Sequence, residues 1–255
     1  MAALPYALAE DLHAANINST RLLRDYLANK AEADALYMDT FVKRSSIMTV
    51  YLSNKLEQTF VGTAAPAAIH ATLEKIYDEQ AVGIAAPDTA SAIAATGGRP
   101  DLEELRMRQQ LWQHVAALKY WCFQCAPGSK PFTVDMLLRT HHLLMEGLSD
   151  DDGKAVTAGA FRTTPCHSGT GFIYSKAQNI RAEVQSAVDN FNAALTTQHP
   201  VQAAADLFYA IITTHPFQDG NGRLCRLLAS YAFMCAGVPF PARCATATSE
   251  APCTS

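Results

Sequence analysis

The sequence predicts a mainly α-helical protein, on three observations. Apolar residues recur at three-to-four spacing over several long stretches, the mark of helices with one buried face. Apolar residues make up 49% of the chain and charged residues 17%, a globular balance. The alternation of turn formers with β-favouring residues is confined to one short segment, 163–174. At 255 residues the chain forms one large domain or two small ones, and either buries a sizeable core.

Taken in order, residues 1–30 read as short helices, with Ser19 or Thr20 capping Arg21-Leu-Leu-Arg-Asp-Tyr-Leu. Asn18-Ser19-Thr20 fits a glycosylation sequon but reads better as that cap. A longer helix runs from Glu32 to about Phe60, with Phe41, Met48, Leu52 and Leu56 as its apolar stripe. Ser53 and Glu57 are four apart on it and share a face beside that stripe. Residues 62–100, rich in Ala, Gly, Pro and Thr, read as a flexible connection around one modest helix at Ile69–Glu79. Asp101–Ala126 is helical, with Leu105, Leu111, Trp112, Ala116 and Tyr120 inward and Pro127-Gly128 as its stop.

Thr133 caps the next helix, which runs to Gly147. Its adjacent His141 and His142 point to different sides and cannot form an i, i+4 metal pair, and a histidine at this place reads as structural. Asp150–Asp152 is a solvated acidic turn without the ligand spacing of a calcium loop. Gly159-Ala-Phe-Arg162 opens the non-helical region, and 163–174 is patterned as a hairpin. Helices follow at Ile180–Leu195 and from Pro200 to Thr213, and the Pro- and Thr-containing tail at 241–255 reads as disordered. The organisation expected is N-terminal helices over 1–61, the flexible connection over 62–100, a core over 101–240 and the tail.

The net charge of −4 gives no basic field, so no nucleic-acid partner is expected. No stretch has the apolar length of a membrane span, and the amino end lacks a basic, apolar leader pattern. The seven cysteines are odd in number and dispersed, which suits reduced thiols and a cytoplasmic setting. Cys122 and Cys125 form a lone CxxC without a partner pair and read as helix-core residues.

The densest chemistry lies in His215-Pro-Phe-Gln-Asp-Gly-Asn-Gly-Arg-Leu-Cys-Arg226. Pro216, Gly220 and Gly222 interrupt an apolar helical pattern that resumes at Leu224, Leu227, Leu228 and Tyr231, so the stretch reads as helix, tight loop, helix. A glycine-bearing loop feeding a helix amino end offers unpaired N–H groups and the positive dipole end, which hold phosphate. Asp219 suits a hard Mg²⁺ shared with phosphate oxygens. Arg223 and Arg226, three apart, can fork onto phosphates. His215 is the residue able to take a proton near neutral pH. A Gly-turn between two core helices would explain the loop, but not the joint presence of Asp219, Asn221 and both arginines.

This stretch resembles the signature of the Fic family, His-x-Phe-x-(Asp/Glu)-Gly-Asn-Gly-Arg-x-x-Arg, at every fixed position. The resemblance implies a Fic-type helical bundle with a short β-hairpin flap over the active site, the flap following Gly159-Ala-Phe-Arg162 and pairing with an extended segment of a target protein. It implies transfer of AMP from Mg·ATP to a Ser, Thr or Tyr hydroxyl. His215 would be the base and Asp219 the Mg²⁺ ligand. Gly220, Asn221 and Gly222 would form the phosphate cradle, with Arg223 on the β-phosphate and Arg226 on the γ-phosphate. Ser53-Asn-Lys-Leu-Glu57 is similar to the family's inhibitory motif, (Ser/Thr)-x-x-x-Glu-(Gly/Asn), departing from it at Gln58. There the glutamate engages the second arginine and excludes productive ATP. Alternatives at the same site are removal of AMP, transfer of another nucleotide or of phosphocholine, and a catalytically silent nucleotide-binding module. A related kinase chemistry is opposed by glycine, not lysine, at 222. A homodimer is left open.

Overall fold

The computed structural model describes residues 32–60, 65–79, 102–125, 127–149, 153–198, 200–235, 238 and 241. The expected helices at 1–30, the acidic turn at 150–152 and the tail at 242–255 lie outside the described residues. Among the described residues seven α-helices carry the fold: α1 Glu32–Leu56, α2 Pro66–Glu79, α3 Leu102–Lys119, α4 Val134–Met145, α5 Ile180–Thr197, α6 Pro200–Thr214 and α7 Asn221–Cys235. Mainly α architecture is therefore observed. Helix α3 runs on into a π turn, Tyr120–Gln124, in which the Cys125 N–H reaches back five residues to Tyr120 O.

One cluster of buried apolar side chains draws on all seven helices. At its heart Trp121, Phe132 and Tyr231 pack with ring centroids 4.4–5.7 Å apart, and Phe191 meets Phe132 edge-on. Asn192 on α5 pins the approach to α4 by accepting from Phe132 N–H and donating to Phe132 O. Thr133 then caps α4, its hydroxyl oxygen accepting from Met136 N–H at 3.2 Å. Helices α5, α6 and α7 pack successively, while α1, α2 and α3 form a neighbouring layer that touches α7.

Three expectations are corrected in detail. Of the stripe expected on α1, Met48 and Leu52 pack half-buried against the core, but Phe41 and Leu56 do not. Phe41 and Leu56 are exposed, and the inward face carries Ser46, Ile47, Val50, Tyr51, Ser53 and Asn54. That face has helical spacing, but its polar members hid it from a hydrophobic pattern. Within the connection expected over 62–100, the helix expected at Ile69–Glu79 is present as α2 but starts earlier, at Pro66, and packs with Ile69, Leu73 and Ile76 buried, while residues 80–100 lie outside the described residues. The hairpin at 163–174 is reduced to a single antiparallel bridge, His167 to Ile173, flanked by Ser168 N–H to Phe172 O and Tyr174 N–H to Cys166 O. Serine and glycine at 168–171 and so few ladder bonds give it no extended strand.

Candidate active site

Helix α6 ends by delivering His215. The His215 N–H still bonds Ile211 O at 3.0 Å, and then φ turns to +49°. That left-handed conformation is costly for a side-chain-bearing residue, and more so ahead of Pro216. Arg162 holds it. The buried guanidinium donates Nε–H to His215 O at 2.7 Å, and its other nitrogens reach Thr214 O, Thr164 O and Ser175 O. Its backbone N–H bonds Pro216 O. One side chain thus ties both roots of the 163–174 loop to the turn that carries the histidine.

The loop after His215 is pinned from below. Phe217 is fully buried and stacks on the His141 ring with centroids 3.6 Å apart. His141 Nδ1 accepts from Gly159 N–H, so the proton sits on Nε2, which donates to Asp219 O at 2.9 Å. Burial lowers the His141 pKa to about 4, in keeping with that neutral form. The structural role expected of His141 is thereby specified. Gly220 follows with φ +78°, and a Cβ there would lie 2.6 Å from Met145 Sδ.

Helix α7 begins at Asn221, and Leu224 N–H is the first to bond back, to Gly220 O. The N–H groups of Asn221, Gly222 and Arg223 therefore lack helical partners and present the positive end of the helix. The Asn221 side chain takes no part in this cradle. It is buried, its Oδ1 accepts from Phe217 N–H and its Nδ2 donates to Phe217 O. The expected phosphate role of Asn221 is corrected to a loop clamp as far as its side chain goes.

The charged groups converge at this helix end. Asp219 accepts from Gly220 N–H and, at 3.2 Å, from Arg223 Nη2, while Arg223 Nη1 reaches Gln110 on α3. Arg226 donates Nε–H to Ser53 Oγ at 2.7 Å, Nη2–H to Ser53 O, and forms an ion pair with Glu57. A Cβ on Gly222 would lie 2.6 Å from Glu57 Oε1, so this carboxylate rests over the open amides. His215 is half-buried, and its buried nitrogen is Nδ1, leaving Nε2 able to face a substrate. Burial lowers its pKa and the Arg162 charge adds to that, while the Ile212 carbonyl, short of a good hydrogen bond to Nδ1, and Asp219 oppose.

The chain is similar to known proteins in sequence and in fold. The Fic/DOC family model matches residues 131–233. The chain is 32% identical over 126 residues to protein adenylyltransferase fic-1 of Caenorhabditis elegans, covering 49% of this chain and 24% of that protein. It is 33% identical over 91 residues to a Fido domain-containing protein of Dictyostelium discoideum, covering 35% and 63%. The fold matches that of a Fic domain-containing signaling protein from Bacteroides thetaiotaomicron with a TM-score of 0.62 at 20% identity, over 87% of this chain and 73% of that one. Over residues 131–233 the chain is similar to the Fic/DOC family, and its fold is that of Fic-domain structures. It spans about a quarter of the length of the curated adenylyltransferase it matches.

Around the amino end of α7 the structure brings together the residues singled out by sequence: His215, Asp219, Gly220, Asn221, Gly222, Arg223, Arg226, Ser53 and Glu57. Sequence reasoning missed the anchoring by Arg162, Gln110 behind Arg223, Tyr174 against His215, and the buried pair of Asn54 and His114. Only Arg162 gave a signal, as the end of the Gly159 tetrapeptide. Among the described residues no three His, Cys, Asp or Glu side chains converge as a metal site.

Proposed function

We propose that the protein transfers AMP from Mg·ATP to a hydroxyl side chain of a target protein, and that Glu57 restrains it. The single observation that carries this is a half-buried imidazole held beside an open helix amino end on which a carboxylate from α1 already rests, paired with Arg226. An anion-binding helix end beside a base suits a nucleotide triphosphate attacked by a hydroxyl. The names of the relatives agree in activity.

Asp219 is the one carboxylate of the motif loop, which suits an ion completed by phosphate oxygens rather than a cage made by protein alone. Asp219 would hold Mg²⁺ there, and the ion would supply neutralisation of phosphate charge. The chain's own residues do the rest. The amides of 221–223 bind and orient the phosphates, and Arg223 steadies the β-phosphate. Arg226, once free of Glu57, takes the γ-phosphate. His215 Nε2 accepts the proton of the acceptor hydroxyl as its oxygen bonds the α-phosphorus. The bond from that phosphorus to the oxygen bridging to the β-phosphate breaks, and pyrophosphate leaves. Catalysis is then positioning, proton transfer and electrostatics. The exposed Phe172 and Ile173 offer an open edge for an extended target segment. Removal of AMP is the second reading, favoured by a Glu57 carboxylate close enough to the same helix end to align a water.

The test incubates wild type, Glu57→Gly and His215→Ala with ATP labelled at the α- or γ-phosphate. Label is expected from the α position only, stronger for Glu57→Gly, and reduced on the order of a hundredfold or more for His215→Ala. Label from the γ position alone would make the protein a kinase. Binding without transfer in every variant would leave a silent module.

A further inference from the structure

A general base works only if its ring plane is held, and in many hydrolytic sites a carboxylate on the second nitrogen does this. In this protein no carboxylate hydrogen-bonds the His215 ring among the described residues, and Nδ1 is buried without a satisfactory partner. What meets the ring is Tyr174. The two rings lie nearly parallel, 18° apart, with centroids separated by 4.0 Å.

Tyr174 is itself fixed. Its N–H bonds Cys166 O across the loop, and the Phe172 ring meets it edge-on with centroids 5.2 Å apart. The next residue, Ser175, gives its carbonyl to Arg162 Nη2 at 2.5 Å, the same guanidinium that holds His215 O. Stacking ring and stacked ring are thus referred to one anchor. The charged groups nearest the histidine on the packed elements are Arg162 at the loop root and Asp219 on the motif loop; Glu183 on α5 hydrogen-bonds the neighbouring Thr214.

We propose that Tyr174 is the positioning residue for His215: its ring fixes the imidazole plane so that Nε2 faces the acceptor hydroxyl, and it shields that ring from water. This rests on reading His215 as the base. It also makes the loop that would receive the target segment the element that orients the base.

The experiment follows the His215 ring by NMR through a pH titration in the whole protein, for wild type, Tyr174→Phe, Tyr174→Leu and Tyr174→Ala. The pH–rate profile of AMP transfer is recorded for the same substitutions in the Glu57→Gly background. Removing the ring wets the imidazole, so His215 titrates at higher pH in Tyr174→Ala and the acid limb of the rate profile moves up with it. kcat falls on the order of tenfold with KM for ATP unchanged, since misplacement of the base affects the step and not nucleotide binding. Tyr174→Phe keeps the wild-type midpoint and rate. A midpoint unmoved in Tyr174→Ala, or in Tyr174→Leu should the alanine variant not fold, overturns the proposal. So does a Tyr174→Phe variant as impaired as Tyr174→Ala. A moved midpoint with no AMP transfer in any variant upholds the contact and removes the adenylylation reading instead.

Discussion

Asn221 and Gly222 sit side by side at the start of α7 and serve opposite ends. Gly222 leaves room above the helix for an anion, and Glu57 Oε1 uses that room. Asn221 faces down and closes both hydrogen bonds of the Phe217 backbone. Asn221→Ala would leave a buried N–H and a buried C=O without partners, each costing about 1–3 kcal/mol. The expected outcome is a loss of roughly 2 kcal/mol or more in urea-unfolding stability, with ATP affinity falling only through the displaced loop. An Asn221→Ala protein of unchanged stability but weakened ATP binding would return the side chain to the phosphate cradle. Sequence made the residue visible and left its direction open, because a signature fixes identity along the chain and not which side of the helix start a side chain takes. His141 shows the converse: a structural histidine in this stretch was readable, while which of the adjacent pair it is, and its tautomer, needed the Gly159 and Asp219 contacts.

Helix α1 carries Glu57, the residue proposed to restrain the site, and its inward face is partly polar. Ser53 meets Arg226, and Asn54 donates to Val50 O and to Nδ1 of the buried His114 on α3 at 3.0 Å. Burial, with the charges of Arg223 and Arg226 added, lowers the His114 pKa well below its ordinary value. His114 and His141 both enter the fold neutral. A histidine whose folded pKa is depressed contributes its stability fully above the unfolded value near 6.5, and loses it as pH falls toward the folded pKa. For His141, with a folded pKa of about 4, the loss between pH 6.5 and 5 is on the order of 2 kcal/mol. Unfolding free energy measured in urea at pH 7.5 and at pH 5 should fall accordingly, and His141→Gln should flatten that slope. An equal slope in wild type and His141→Gln would contradict the assignment. The stripe of α1 was misread in part because a face that meets Arg226 and the buried His114 is served by Ser53 and Asn54, which a hydrophobic period does not register.

At the scale of the molecule, the site joins residues at opposite ends of the described chain, from Ser53 to Arg226, a separation of 173 residues. Helix order and the mainly α class were legible because α4 to α7 carry their own apolar faces and punctuation, such as Thr133 before α4 and Pro216 after α6. The joining of α1 to α7 was legible only through the family resemblance, since nothing local in Ser53–Glu57 says what it touches. Among the described residues no helix is long and apolar enough to cross a membrane. In the proposed restraint Glu57 and a triphosphate compete for one place, the amino end of α7. Calorimetric titration of Mg·ATP into wild type, Glu57→Gly and the double variant Glu57→Gly/Arg226→Ala tests that competition directly. A charge-assisted contact is worth about 1.5–3 kcal/mol, so Glu57→Gly should bind roughly 10-fold or more tightly than wild type, and Arg226→Ala should cancel the gain. Equal affinity of wild type and Glu57→Gly for Mg·ATP would contradict it.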